Sequence, residues 1–498
     1  MKAFKFFIFS FLFLSVWSLK QNTVYAGNIL RVDGSVASSG DGSSWDKSFK
    51  KITDALDAAQ AGDEIWVKFG AYQEPTFLMK EGVNVYGGFA GTEEQRSQRD
   101  SKINSTFLIA NNFTDQILSG ASFETLTEWD GFTFTSANND LKGGAILLLK
   151  NNKVSNSEIS YNTSTGDGGG VNMTDAYLDR CVVSNNKGKA GAGIRASGKS
   201  VITNCIVINN IGTNNGGGIS GTDHPVVIEN CLVANNETSG GNGAGIMLGD
   251  GRNGEAGRIV NCTVVRNKMT RTDKGCAGVY GSAKSANPSS CLYNTIVWGN
   301  DATIGGGANN IAGYGTTPAD MVKNCAIEGI PNGFVNETNI NLSSDNTGVS
   351  GSDFYPCFVN PSATVGTVIV GDDGKYAYDW RVTESSACVD KGDSQYWTAA
   401  YSSDLDGNSR ITGASIDMGA YELGGSTGWA SCKESPVYVR KDGKTVTIIG
   451  AVPGELISIY NIQGVLVAQR ENSCAETFSF DSGMYVIKVG KSLIKVIL

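Results

Sequence analysis

The sequence predicts an all-β protein: a parallel β-helix solenoid with an N-terminal cap, followed by a small C-terminal antiparallel β-sandwich. Three observations predict it. First, a glycine cluster recurs, at Gly143-Gly144-Ala145-Ile146, Gly168-Gly169-Gly170-Val171, Gly191-Ala192-Gly193-Ile194, Gly216-Gly217-Gly218-Ile219 and Gly243-Ala244-Gly245-Ile246. The steps are 25, 23, 25 and 27 residues, within the range of roughly 20–50 residues that marks solenoids and arrays. Second, each copy carries a short strand ending in asparagine, as in Cys181-Val182-Val183-Ser184-Asn185-Asn186 and Asn230-Cys231-Leu232-Val233-Ala234-Asn235-Asn236. No helical period accompanies it, so a copy fits one coil, stacked on the last at about 4.8 Å. Third, the 498 residues include 64 glycines and only 9 prolines, a composition for tight corners.

The repeated residues have mechanical reasons. Asparagine is the non-glycine residue best suited to the left-handed region. Its recurrence at one corner (Asn162, Asn186, Asn210, Asn236, Asn267, Asn300) predicts a ladder of stacked amides. Cys181, Cys205, Cys231 and Cys262 each precede that asparagine by five residues and predict one inward column of small buried groups. Disulfides between neighbouring coils are the other reading. The eleven cysteines are an odd number, so at least one is free or modified. With no CxxC and one histidine, a zinc-type site has little support.

Residues 1–26 read as an export signal. Lys2 and Lys5 form the basic region, Phe6 to Leu19 the apolar one, and cleavage is expected between Ala26 and Gly27. The apolar run is shorter than the ~20 residues of a membrane span. Residues 27–110 read as the cap: a strand at Ile29–Val32, a helix over Phe49–Ala59 and strands around Ile65–Val67 and Val83–Phe89. Residues 111–423 carry the coils and their C-terminal end, with a late copy at Asn294–Asn300 and a degenerate one at Asn324-Cys325-Ala326-Ile327. Residues 424–434 form a linker. Residues 435–498 hold short strands typical of a small sandwich.

Two resemblances follow from these segments. "VDGSVASSGDGSSWDKSFKKITDALDAAQAGDEIWVKFGAY" with "GVNVYGGFAGTEEQRSQRD" resembles the start of secreted bacterial right-handed β-helix proteins of the pectate-lyase-like superfamily, a group that includes adhesins. "DLDGNSRITGASIDMGAYEL" at 404–423 resembles the end of the solenoid in the same group. "LISIYNIQGVLVAQ", "FDSGMYVIKVG" and the Lys-Val-Ile-Leu terminus resemble C-terminal sorting domains of the type IX secretion system. The resemblances imply a right-handed coil and a protein secreted by, or held on the outer surface of, a Gram-negative bacterium. The secretion machinery would then be a partner of the C-terminal block.

Function is less sharply written. A formal net charge of -9 argues against nucleic acid or an anionic membrane as main partner. The glycosidase pattern of this superfamily needs a His-Gly pair, but His224 precedes Pro225. Its Arg-x-Lys triplet has one match, Arg266-Asn267-Lys268, whose centre is a corner asparagine. The lyase pattern needs an Asp-His pair after a Trp-Ile strand, and Asp223-His224 follows Gly221-Thr222 instead. The catalytic candidates are Asp250, Arg252, Glu255 and Arg258 in one long insertion, with Asp273 and Lys274 in the next; a solvated loop is the other reading. Tyr177, Tyr280 and Trp397 are candidates for stacking on sugar rings, or for packing. Asp404, Asp406 and Asp417 are candidates for calcium, or for turn and cap roles. No other cofactor is expected. The reading is an exported structural, adhesive or glycan-binding protein without catalysis, whose partner is an extracellular glycan or a cell-surface protein. The alternative is a carbohydrate-active enzyme, a calcium-dependent polysaccharide lyase.

Overall fold

The computed structural model describes residues 27–111, 115–222, 225–249, 255–271, 275–282, 290–302, 308–315, 318–346, 355–368, 378–397 and 402–424. In the C-terminal block it describes 438–442, 444–449, 456–461, 466–471, 476–480, 484–489 and 492–497. Residues 1–26, expected to be an export signal, together with Asp223, His224, Asp250, Arg252, Asp273, Lys274 and most of the expected linker, lie outside the described residues. No described helix is long and apolar enough to cross a membrane.

Each coil supplies one strand to each of three long parallel sheets. Sheet A has eleven strands, from Ile29–Val32 to Val322–Lys323. Sheet B has eleven, from Gly70–Glu74 to Ile340–Leu342. Sheet C has nine, from Phe77–Leu78 to Ile311–Gly313. A fourth sheet of six two-residue strands lines the corner before the glycine cluster. The chain visits C, A, B and this short sheet in order. The result is a right-handed parallel β-helix, the hand that parallel crossovers take. Central residues of the strands (Val154, Ile159, Leu178, Val183, Ile202, Val207) point inward and are fully buried. The helix Ile52–Ala58 covers the N-terminal end with Ile52, Ala55 and Leu56. Its first N–H groups, on Ile52 and Thr53, donate to the Glu74 carboxylate at 2.9 and 3.1 Å. This helix and the first coils share the segment 27–110.

The glycine clusters make the tightest corner. Gly191 has φ +59°, and a Cβ there would sit 2.2 Å from the Ile194 carbonyl oxygen. The amide ladder forms as the spacing predicts. Asn162, Asn186, Asn210, Asn236, Asn267 and Asn300 each donate from Nδ2 to the Oδ1 of the next at 2.9–3.0 Å, ending on Asn310. The left-handed residue, however, is not the ladder asparagine but the one before it: Tyr161, Asn185, Asn209, Asn235 and Arg266, with φ of 54–59°. A second left-handed column (Asn156, Arg180, Asn204, Asn230, Asn261, Asn294, Asn324) turns sheet A into sheet B. The next residue forms an inward column of Cys181, Cys205, Cys231, Cys262 and Cys325, with Ser157 and Thr295 at the same position in two coils. These cysteines are all buried and free, so neighbouring coils are not joined by disulfides there.

The segment resembling the end of the solenoid does more than close it. The last β-helix strand is Ile340–Leu342. The chain then turns back across the outer face of sheet B. Phe358, Trp380, Val382, Cys388, Leu405, Met418 and Ala420 pack on Ile208, Leu232, Ala234, Val265, Ile296 and Trp298. Asn209 and Val368 exchange two hydrogen bonds, at 2.9 and 3.1 Å. The reason is written in the outward positions of sheet B. In register they read Thr133, Glu158, Val182 and then Ile206, Leu232, Thr263, Ile296. The apolar half is the covered half. The C-terminal block forms a three-stranded and a four-stranded antiparallel sheet around Val446, Ile448, Ile457, Ile459, Phe478, Ile487 and Val489.

Candidate functional site

The candidate site is the outer face of sheet A. Strand residues alternate in direction, so two of every three side chains in its short strands face out. Register aligns them into two rows. One row reads Glu64, Asn84, Glu128, Lys153, Tyr177, Val201, Val227, Arg258 and Cys291. The other reads Trp66, Tyr86, Asp130, Ser155, Asp179, Thr203, Glu229, Val260 and Tyr293.

The two edges of this floor differ. At the strand starts, the connections from sheet C lengthen along the rod: 149–151, 175–176, 198–200, 223–226, 249–257 and 282–290. The connections entering sheet C lengthen as well, from 189–193 to 270–278. At the strand ends lie the left-handed asparagines, and the returning chain docks on them. Asn230 Nδ2 donates to the Ser403 carbonyl at 3.1 Å, and Asn294 exchanges hydrogen bonds with Asp393 at 2.8 and 2.9 Å. Tyr293 stacks on Tyr396 with ring centroids 4.0 Å apart.

Ion pairs cross the floor. Lys153 meets Glu128 at 2.9 Å, Arg180 meets Asp179 at 2.7 Å, and Arg258 meets Glu229 at 2.7 Å. Arg99 pairs with Asp130, and Arg96 meets Glu64 at 2.6 Å. Asp179 also accepts from Thr203 Oγ1 at 3.0 Å and Asn204 Nδ2 at 2.7 Å. At the edge, Lys199 reaches across one intervening connection to Glu255 at 2.9 Å. Burial pushes the Tyr86 phenol up to about 12 and the Tyr293 phenol higher still, so both are neutral donors.

The structure brings Glu255, Arg258 and Tyr177 to this one face. It places Tyr280 on the outer face of sheet C, beside Met247, and Trp397 in the returning chain. The three aromatics thus do not share a surface. Asp404, Asp406 and Asp417 do share one loop region, within the returning chain. Their oxygens serve its turns: Asp404 accepts from the N–H groups of Asp406, Asn408 and Glu422, and Asp417 from those of Asp390 and Leu423. Among the described residues no group of three or more His, Cys, Asp or Glu is placed to hold a metal ion. The fully buried Arg410 lies 3.8 Å from Glu422 and donates to the Asp417 and Gly419 carbonyls. Asp179, Lys199 and Glu229 escaped sequence reasoning. The signal for Asp179 and Glu229 was present: positions two and four before each column cysteine read Asp179/Tyr177, Thr203/Val201, Glu229/Val227 and Val260/Arg258.

No protein-family model matches the chain, and no curated protein matches it. Solved structures are similar to it at low identity. Pectate lyase Pel9A is 14% identical with a TM-score of 0.39, over 80% of this chain and 97% of that one. A deglycosylated pectin methylesterase from Aspergillus niger is 13% identical with a TM-score of 0.29, over 65% and 91%. A rhamnogalacturonan lyase is 14% identical with a TM-score of 0.29, over 69% and 95%. Likeness at this level carries nothing about activity.

Proposed function

We propose that the chain is an exported surface protein that holds an extended glycan along the outer face of sheet A without cleaving it. The observation that supports this reading is the floor itself. The half-exposed Tyr177 ring stands in register with Val201 and Val227, between two sets of closed ion pairs. An aromatic beside short aliphatic groups suits the apolar face of a sugar ring, and flanking polar groups suit its hydroxyls. The register repeats at about 4.8 Å per coil, which suits a polymer lying along the rod. The sorting-type C-terminal block and the export signal belong to the same reading, as the devices that deliver the rod to the cell surface.

Affinity electrophoresis of the purified protein through polysaccharide-containing gels tests it. Retardation without new reducing ends or ultraviolet-absorbing product is the expected result. Tyr177→Ala is expected to raise Kd about tenfold, equivalent to about 1.4 kcal/mol. Turnover abolished by Arg258→Ala would instead select the polysaccharide-lyase reading, in which Arg258 serves as base.

A further inference from the structure

Resting on that reading, we infer that the glycan is uncharged: a neutral polysaccharide rather than a polyuronate or sulfated chain.

The argument is one of charge accounting on the floor. Between Glu64 and Tyr293 the two outward rows carry Glu64, Glu128, Asp130, Lys153, Asp179, Glu229 and Arg258. Five ion pairs take up all seven: Glu64–Arg96, Glu128–Lys153, Asp179–Arg180 and Glu229–Arg258 at 2.6–2.9 Å, and Asp130–Arg99. The edge connections balance as well. From 149–151 to 282–290 they hold Lys150, Lys199, Arg252 and Lys284 against Asp175, Asp223, Asp250 and Glu255. Neither sign is in excess.

Recognition of a polyanion works differently. It needs cations not already satisfied, so that field and contact both favour the ligand. Here a sugar carboxylate approaching Arg258 would have to displace Glu229, whose side chain is only 2% exposed and would be left as an uncompensated buried charge. The chain's net charge of -9 adds long-range repulsion. Sugar hydroxyls face no such obstacle. Each is donor and acceptor at once, so it can accept from a guanidinium and donate to the paired carboxylate without separating them. Thr203 and the half-buried amide of Asn204 extend the same neutral chemistry across the floor.

The test runs gels containing neutral polysaccharides (β-glucan, xylan, galactomannan) beside gels containing polygalacturonate, alginate and chondroitin sulfate. Each is run at about 0.05 M and about 0.5 M salt, which brackets strong and weak screening. The expected result is retardation by a neutral polymer, changed less than about twofold by salt. Tyr177→Ala and Thr203→Val should each weaken it, with unchanged thermal unfolding. Retardation by an anionic polymer alone, removed by salt, would overturn this inference and leave glycan binding standing. No retardation in any gel would overturn both.

Discussion

Asn186 donates twice to one atom: its backbone N–H and its Nδ2 both reach Asn210 Oδ1, each at 3.0 Å. Its remaining amide hydrogen goes to the Ile159 carbonyl at 2.9 Å. The side chain thus ties three coils and leaves no buried donor unmet. Asn210→Ala should therefore strand the Asn186 donors in a dry interior, costing about 2–4 kcal/mol. Denaturant unfolding would measure it, and Asn210→Asp should recover little, because Asn210 Nδ2 also donates to Asn236.

Trp380 anchors the returning chain. It meets Phe358 edge-on with centroids 5.2 Å apart, and Phe358 meets Trp298 of sheet B at 5.7 Å. Trp380→Ala should cost about 3 kcal/mol. Hydrogen exchange should quicken in residues 355–423 while the coils before Val182 keep their protection.

The acid cluster within that chain gives a pH dependence. Burial pushes Glu422 up to about 8 and Asp406 up to about 6, from 4.5 and 3.8. The folded form therefore keeps protons that the unfolded chain gives up. Their stabilising contribution is complete below the unfolded values and is lost as pH rises through about 6 and then about 8. Unfolding midpoints should fall between pH 5 and 8.5, and Glu422→Gln should flatten that slope.

The cysteine column should be chemically silent. Burial raises the thiols of Cys181, Cys231 and Cys325, the last to about 12. At Cys205 burial is outweighed by hydrogen bonds with Cys181 and Cys231, which bring it down to about 5. There the silence rests on complete enclosure, which keeps reagent out. Alkylation of native protein followed by peptide mapping should leave Cys181, Cys205, Cys231, Cys262 and Cys325 unmodified. All five should react once the protein is unfolded.

How much of this was legible in advance depends on what each feature repeats. The coil, the amide ladder and the inward cysteines recur with the period, so one copy confirms another. The left-handed residue was misassigned by one position because two asparagines stand side by side in Asn185-Asn186, Asn209-Asn210 and Asn235-Asn236, and adjacency hides which one turns the chain. The returning chain was read as an ending because it has no period of its own. Its imprint lies elsewhere, in outward apolar residues such as Ile208 and Trp298 that a solvent-facing strand would not carry. The site was partly visible. Glu255 and Arg258 stood out in an insertion, but Glu229 acquires meaning only when coil register sets it beside Arg258.

The Asn209–Val368 contact joins residues 159 apart in sequence, whereas the ladder bonds from Asn162 to Asn267 join residues 24–33 apart. Coils can thus close one after another as the chain emerges N-terminus first, each laid on the one before. The clasp over sheet B closes only when nearly all the rod exists. Until then Ile208, Leu232 and Trp298 remain open to water. Completion of the rod is therefore a distinct, late event, and a truncated product would be marked by the bare strip it leaves behind.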